Sequence, residues 1–139
     1  MSDWYYSQRL RERRLKDPGA DINPYREAYL RHVYAKAEYY DGLSQKVLHR
    51  SVLHVVLMHH NLLNALFLQD VIAMFRTKGW RIIDAGVAFE DPVYKSQPDI
   101  LPAGESVLWA LAKQQNVPGL RYPAEDDVHE KPILDRLGL

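Results

Sequence analysis

The sequence predicts an α/β protein, because a short β-branched apolar run, a helical run and a second short apolar run follow one another along the chain. Residues 51–59 hold Val52, Leu53, Val55, Val56 and Leu57 in near-continuous succession. Such a run is too short for most helices and has the pattern of a buried strand in a parallel sheet. From 62 to 78, Leu63, Leu66, Phe67, Val71, Met74 and Phe75 recur at helical spacing, with Asn61 positioned to cap the start and Gly79 to end it. Residues 80–85, Trp-Arg-Ile-Ile-Asp-Ala, read as a second strand. The order strand, helix, strand is a βαβ unit, and parallel strands with crossover helices build an open α/β sheet or an α/β barrel.

Ahead of this unit, residues 5–15 carry helix formers and stop at Asp17-Pro18-Gly19, where proline disfavours helix before it and glycine permits a turn. Asn23-Pro24 then offers an N-cap with proline in the first helical position. Tyr25, Ala28, Tyr29, Val33, Ala37 and Tyr40 follow at helical spacing, so a long amphipathic helix is expected, with a break near Gly42. Beyond the second strand, residues 87–89 suit a short helix, and Pro92, Pro98 and Pro102 mark an extended run leading to a helix over 106–115. Residues 116–139 contain Pro118, Gly119, Pro123 and Pro132 among alternating charges, and are expected as an extended tail.

A chain of 139 residues has room for one domain, and 47% hydrophobic with 26% charged residues is the balance of a packed globular protein. Lys and Arg together number 18, as do Asp and Glu, so no net positive field collects nucleic acid. Arg9, Arg11, Arg13, Arg14 and Lys16 cluster, but Glu12 and Asp17 interrupt them in a helical pattern, which favours a solvated face. With no cysteine, disulfides, thiolate catalysis and cysteine-based zinc sites are excluded. The first 14 residues lack the regions of a secretory signal, so the expected location is cytoplasmic. The longest apolar stretch, 62–75, is interrupted by Asn64, Gln69 and Asp70, and no membrane segment is expected.

The densest candidate for chemistry is Val55-Val56-Leu57-Met58-His59-His60-Asn61. Alternate side chains of a strand share a face, which puts Leu57 with His59 and Met58 with His60. A histidine at the C-terminal end of a parallel strand stands where active sites of α/β folds gather, and its ordinary pKa suits general acid or base work. From spacing alone, two histidines that close a strand and bond the start of the next helix are the favoured reading. The tyrosines of the long helix, Tyr25, Tyr29, Tyr34, Tyr39 and Tyr40, suit packing against a neighbouring layer better than sugar stacking.

The segment VVLMHHN, the helix NALFLQDVIAMFRTKGW and the run RIIDA resemble the last βαβ of the polysaccharide deacetylase (NodB homology) domain, carbohydrate esterase family four. Ser2-Asp3-Trp4 resembles that family's preceding aspartate-tryptophan motif, and DPVYKSQPDILPAGESVLWALAK its bacterial C-terminal extension, so the resemblance covers nearly all of residues 1–139. It implies the C-terminal, βαβ-containing portion of a deformed (β/α) barrel, incomplete in this chain. It also implies hydrolysis of acetyl groups on a polysaccharide or related amide. By carry-over, Leu57 lines the pocket for the acetyl methyl group, His59 protonates the leaving amine, Asp3 orients and charge-supports His59, and Trp4 walls the acetate pocket. Where the family has aspartate after the histidine, this chain has His60.

The complete family domain uses zinc, held by one aspartate and two histidines. Its threonine-phenylalanine-aspartate-aspartate-glycine motif, its spaced histidine pair and its arginine-containing motif do not occur here, and Asp126-Asp127 lies in the proline-rich tail. No metal ligands are therefore expected in this chain, and little catalysis by it alone. The expectation is a chain that starts inside a longer domain, and that either self-associates or docks with a separate N-terminal half. The other expectation is a non-catalytic module that binds sugar or protein.

Overall fold

The computed structural model describes residues 2–139, and every regular element among them is a helix. The order is α1 (Asp3–Lys16), α2 (Asn23–Leu48), α3 (Leu62–Thr77), α4 (Ala85–Ala88), a 3-10 helix (Pro92–Lys95), α5 (Val107–Gln114) and α6 (Asp127–Leu137). The predicted α/β class is thus corrected: there is no βαβ unit and no portion of a (β/α) barrel, because residues 51–59 and 80–84 form no ladder. A strand exists only through hydrogen bonds to another strand. No main-chain bond joins Val56, Leu57 or Met58 to another segment among the described residues. Burial fails as well. Val52 is buried, but Leu53, Val55, Val56 and Leu57 are 36%, 38%, 42% and 71% exposed, and Ile82 is 48% exposed.

The helices, by contrast, form where local signals ask for them. Asn61 accepts the Asn64 N–H at 3.0 Å and caps α3, a contact that stabilises a helix by about 1 kcal/mol. Gly79, at φ 84°, takes the left-handed conformation after the α3 C-cap, and the following Trp80 N–H bonds back to the Phe75 carbonyl at 2.9 Å. Ser106 caps α5 through the Trp109 N–H at 3.1 Å. Helix α2 runs unbroken past Gly42. Residues 116–139, expected as an extended tail, instead carry α6, capped by Asp126 through the Val128 N–H at 3.0 Å.

The chain divides into two units, with the division falling inside α2. The first holds residues 2–34, 56–82 and 125–139. Its core takes Tyr5, Tyr6 and Leu10 from α1, Tyr25, Ala28, Tyr29 and Val33 from α2, Leu63, Phe67, Val71 and Phe75 from α3, and Leu134 from α6. Along α1, α2 and α3 these positions fall one, three or four residues apart, so each of the three helices turns one stripe inward. Helix α6 is tied down by a buried cluster in which Glu130 accepts from Tyr6 Oη at 3.3 Å and lies 3.2 Å from His32 Nδ1.

The second unit holds residues 35–55 and 83–124. Leu43, Val47, Val52, Val93, Leu108 and Ala112 make its core. Asp91 organises the chain around this core, accepting from both Arg50 guanidinium nitrogens and from the Leu53 and Val93 N–H groups. The Arg50 bonds hold its carboxyl far below the usual carboxylate range, against the opposing effect of burial. No helix among the described residues is long and apolar enough to cross a membrane.

Candidate active site

The first unit brings residues far apart in its sequence together at one place. Asp3 opens α1 and is completely buried, whereas Trp4 beside it is 44% exposed. Helix α1 packs against α3, and the Leu63 N–H donates to Ser7 Oγ at 3.4 Å across that contact. The packing carries the residues leading into α3 over the start of α1, which sets His59 against Asp3.

Both Asp3 oxygens are engaged. His59 Nδ1 lies 2.5 Å from Oδ1. Oδ2 accepts from the His59 main-chain N–H at 2.9 Å, from Asn61 Nδ2 at 3.0 Å and from Asn64 Nδ2 at 2.8 Å. Asn64 Nδ2 also donates to the His59 carbonyl at 2.8 Å, while Asn64 Oδ1 accepts from Tyr29 Oη at 2.6 Å. Burial pushes the Asp3 carboxyl upward, but the His59 ring and main-chain bonds, the attraction to His59 and the Asn61 amide outweigh it, and the net shift is below the ordinary 3.8. A carboxylate only accepts, so the His59 nitrogen facing it carries the proton. With Nδ1 occupied and the side chain 47% exposed, Nε2 is the ring nitrogen left for chemistry.

Of the sequence-derived residues, the structure joins Asp3 and His59 directly. Leu57 is 71% exposed two residues before His59, and Trp4 follows Asp3 with its ring edge against Tyr5 at 5.6 Å between centroids. His60 is exposed and makes no hydrogen bond to the helix after it. His54 belongs to the second unit, where it pairs with Asp41 at 3.2 Å. Tyr25 and Tyr29 are core residues rather than a sugar platform. Two concavities, of about 380 and 280 Å³, lie in the second unit, and none of Asp3, Trp4, Leu57 and His59 lines them.

Asn64 and Tyr29 were not legible as site residues from motifs. A signal existed nonetheless: an asparagine in the first turn of an otherwise apolar helix, three residues after the capping asparagine, puts two amides at the same helix end.

Zinc, which the family resemblance implies, does not fit these residues. The described residues contain no group of three or more histidines and carboxylates that could hold a metal ion, and both Asp3 oxygens and His59 Nδ1 are already bonded. Accordingly, the isolated chain, dialysed against zinc and then against buffer, is expected to retain well under one ion per molecule by mass spectrometry. One tightly held ion per chain would show that a ligand set has been overlooked.

Comparison of the chain with models of protein families, with curated proteins and with solved structures finds no match.

Proposed function

We propose that the chain supplies the proton-donating half of a hydrolytic site, acting on acetyl groups of a polysaccharide or a related amide, with the remaining groups contributed by another polypeptide segment. The observation that carries this is the Asp3–His59 pair: a buried, charged carboxylate fixes one imidazole nitrogen and leaves the other toward solvent. Expelling an amine from an acetamide requires a proton on nitrogen, since an amide anion is too basic to leave. A charged His59 delivers that proton from Nε2. The neutral ring that remains keeps its Nδ1 proton against Asp3, so the pair is unchanged in geometry through the transfer. Leu57 and Trp4, both exposed, the first two residues before His59 and the second next to Asp3, offer the apolar surface that an acetyl methyl group needs. The likeness of the Leu57-His59 and Asp3-Trp4 motifs to those of polysaccharide deacetylases supports the substrate class.

The sugar- or protein-binding alternative gains no support from the long helix, whose tyrosines at 25 and 29 point into the core. The test is complementation. The full chain, fused behind a segment that carries the deacetylase aspartate and histidine motifs, is expected to release acetate from an acetylated chito-oligosaccharide, whereas that segment alone does not. Equal acetate release with and without this chain would remove it from the chemistry.

A further inference from the structure

We propose that Asn64 and Tyr29 are positioning residues that hold Asp3 and thereby set which nitrogen of His59 carries the proton. The inference rests on the assignment of His59 as proton donor, and it extends the site one layer inward. Asn64 Nδ2 donates to two acceptors at once, Asp3 Oδ2 and the His59 carbonyl, both at 2.8 Å. It therefore ties the carboxylate to the backbone of the residue that the carboxylate serves. Turned over, the same amide would present its oxygen to those two acceptors, so only one orientation is compatible with the site.

Tyr29 fixes that orientation from the far side. Its hydroxyl lies 2.6 Å from Asn64 Oδ1, an atom that can only accept, and the residue is fully buried. Burial first, and the charge on Asp3 second, push the phenol upward, so it remains a donor across the pH range in which proteins are folded. Asp3 has two further donors, the Asn61 amide and the His59 N–H. Asn61 is held only at the helix start, by the Asn64 N–H, whereas Asn64 is anchored in the buried core by Tyr29, and it keeps the carboxylate in place while the imidazole gains and loses its proton. The chain of contacts runs Tyr29, Asn64, Asp3, His59, from the core to the surface.

The tautomer of His59 reads this directly, in the isolated chain and without turnover. Ring ¹⁵N spectra of the wild type, at a pH where the imidazole is neutral, are expected to show Nδ1–H as the major form. Tyr29→Phe removes one oxygen and is expected to lower the Nδ1–H to Nε2–H ratio about threefold, the scale of a modest hydrogen bond. Asn64→Asp keeps the shape but brings a second carboxylate against Asp3. Two carboxylates at that distance share a proton, so the ratio is expected to fall about tenfold or more. Circular dichroism and thermal melts confirm that each variant is folded, and if one fails to fold the other decides. An unchanged ratio in a folded variant would overturn the proposal and reduce Asn64 to a packing residue. Loss of the tautomer preference with undiminished acetate release in the fusion would instead keep the relay and remove His59 from the proton-donating role.

Discussion

In the complemented protein, His59→Ala is expected to lower turnover about a hundredfold or more, the usual range for removing a general acid. The variant separates chemistry from folding cleanly. Three of the four donors to Asp3, namely the main-chain N–H of residue 59, Asn61 and Asn64, survive the substitution. The lost imidazole is about half exposed, so little burial is forfeited. His60→Ala supplies the control. His60 is exposed and bonds nothing in the next helix, so both turnover and stability should stay within about twofold, in keeping with surface substitutions. Initial rates of acetate release, with metal content matched among variants, give the comparison. If His60→Ala abolished turnover while His59→Ala spared it, the roles of the two histidines would be exchanged.

The largest effect on stability is expected from Asp3→Ala. Removing the carboxylate takes one of its two acceptors from the buried Asn64 amide and the acceptor from the His59 N–H, and breaking a buried, hydrogen-bonded charge in this way costs about 3 kcal/mol. Asp3→Asn keeps the volume and part of the bonding, and should cost about half as much. The pH dependence identifies charge as the cause. Because the folded carboxyl is held below its ordinary 3.8, its contribution is complete above that value and is lost as pH falls through the lower, folded one. The gap between wild type and Asp3→Ala in urea denaturation should therefore narrow as pH falls below about 4. Comparing the two proteins at each pH cancels the other carboxyls that folding also lowers, Asp70, Asp91, Asp126 and Asp135. A gap that persists undiminished at pH 3 would assign the loss to packing instead.

What could be read from the sequence divides along the range of the interactions. Helix α3 was legible because its stripe, its Asn61 cap and its Gly79 stop each act between residues only a few positions apart. The long helix from Asn23 and the helix over 106–115 were legible for the same reason. The apolar run 51–59 misled because its composition describes what a strand is made of, whereas a strand is made by its partner, and no partner is present among the described residues. The tail misled differently. Pro132 argued against helix, yet α6 accommodates it at its sixth position, held by Glu130 and Leu134 against the core. At the site, the contact between residues 3 and 59 spans 56 positions and came only from a motif resemblance. Its inner support, Asn64 with Tyr29, depends on which way an amide is turned, which no spacing encodes.

The bare stretch through Val56, Leu57 and Met58 also governs how long a molecule of this kind survives. Processive proteases grip extended main chain whose amide groups are unbonded, and most folded proteins expose such chain only in rare openings. Here it stands displayed in the native conformation, with apolar side chains to reward whatever seizes it. Limited proteolysis of the native chain is expected to cut here first, at a rate that depends little on global stability. A binder that covers the stretch is therefore expected to slow that cleavage, by occupying the chain rather than by stabilising the fold.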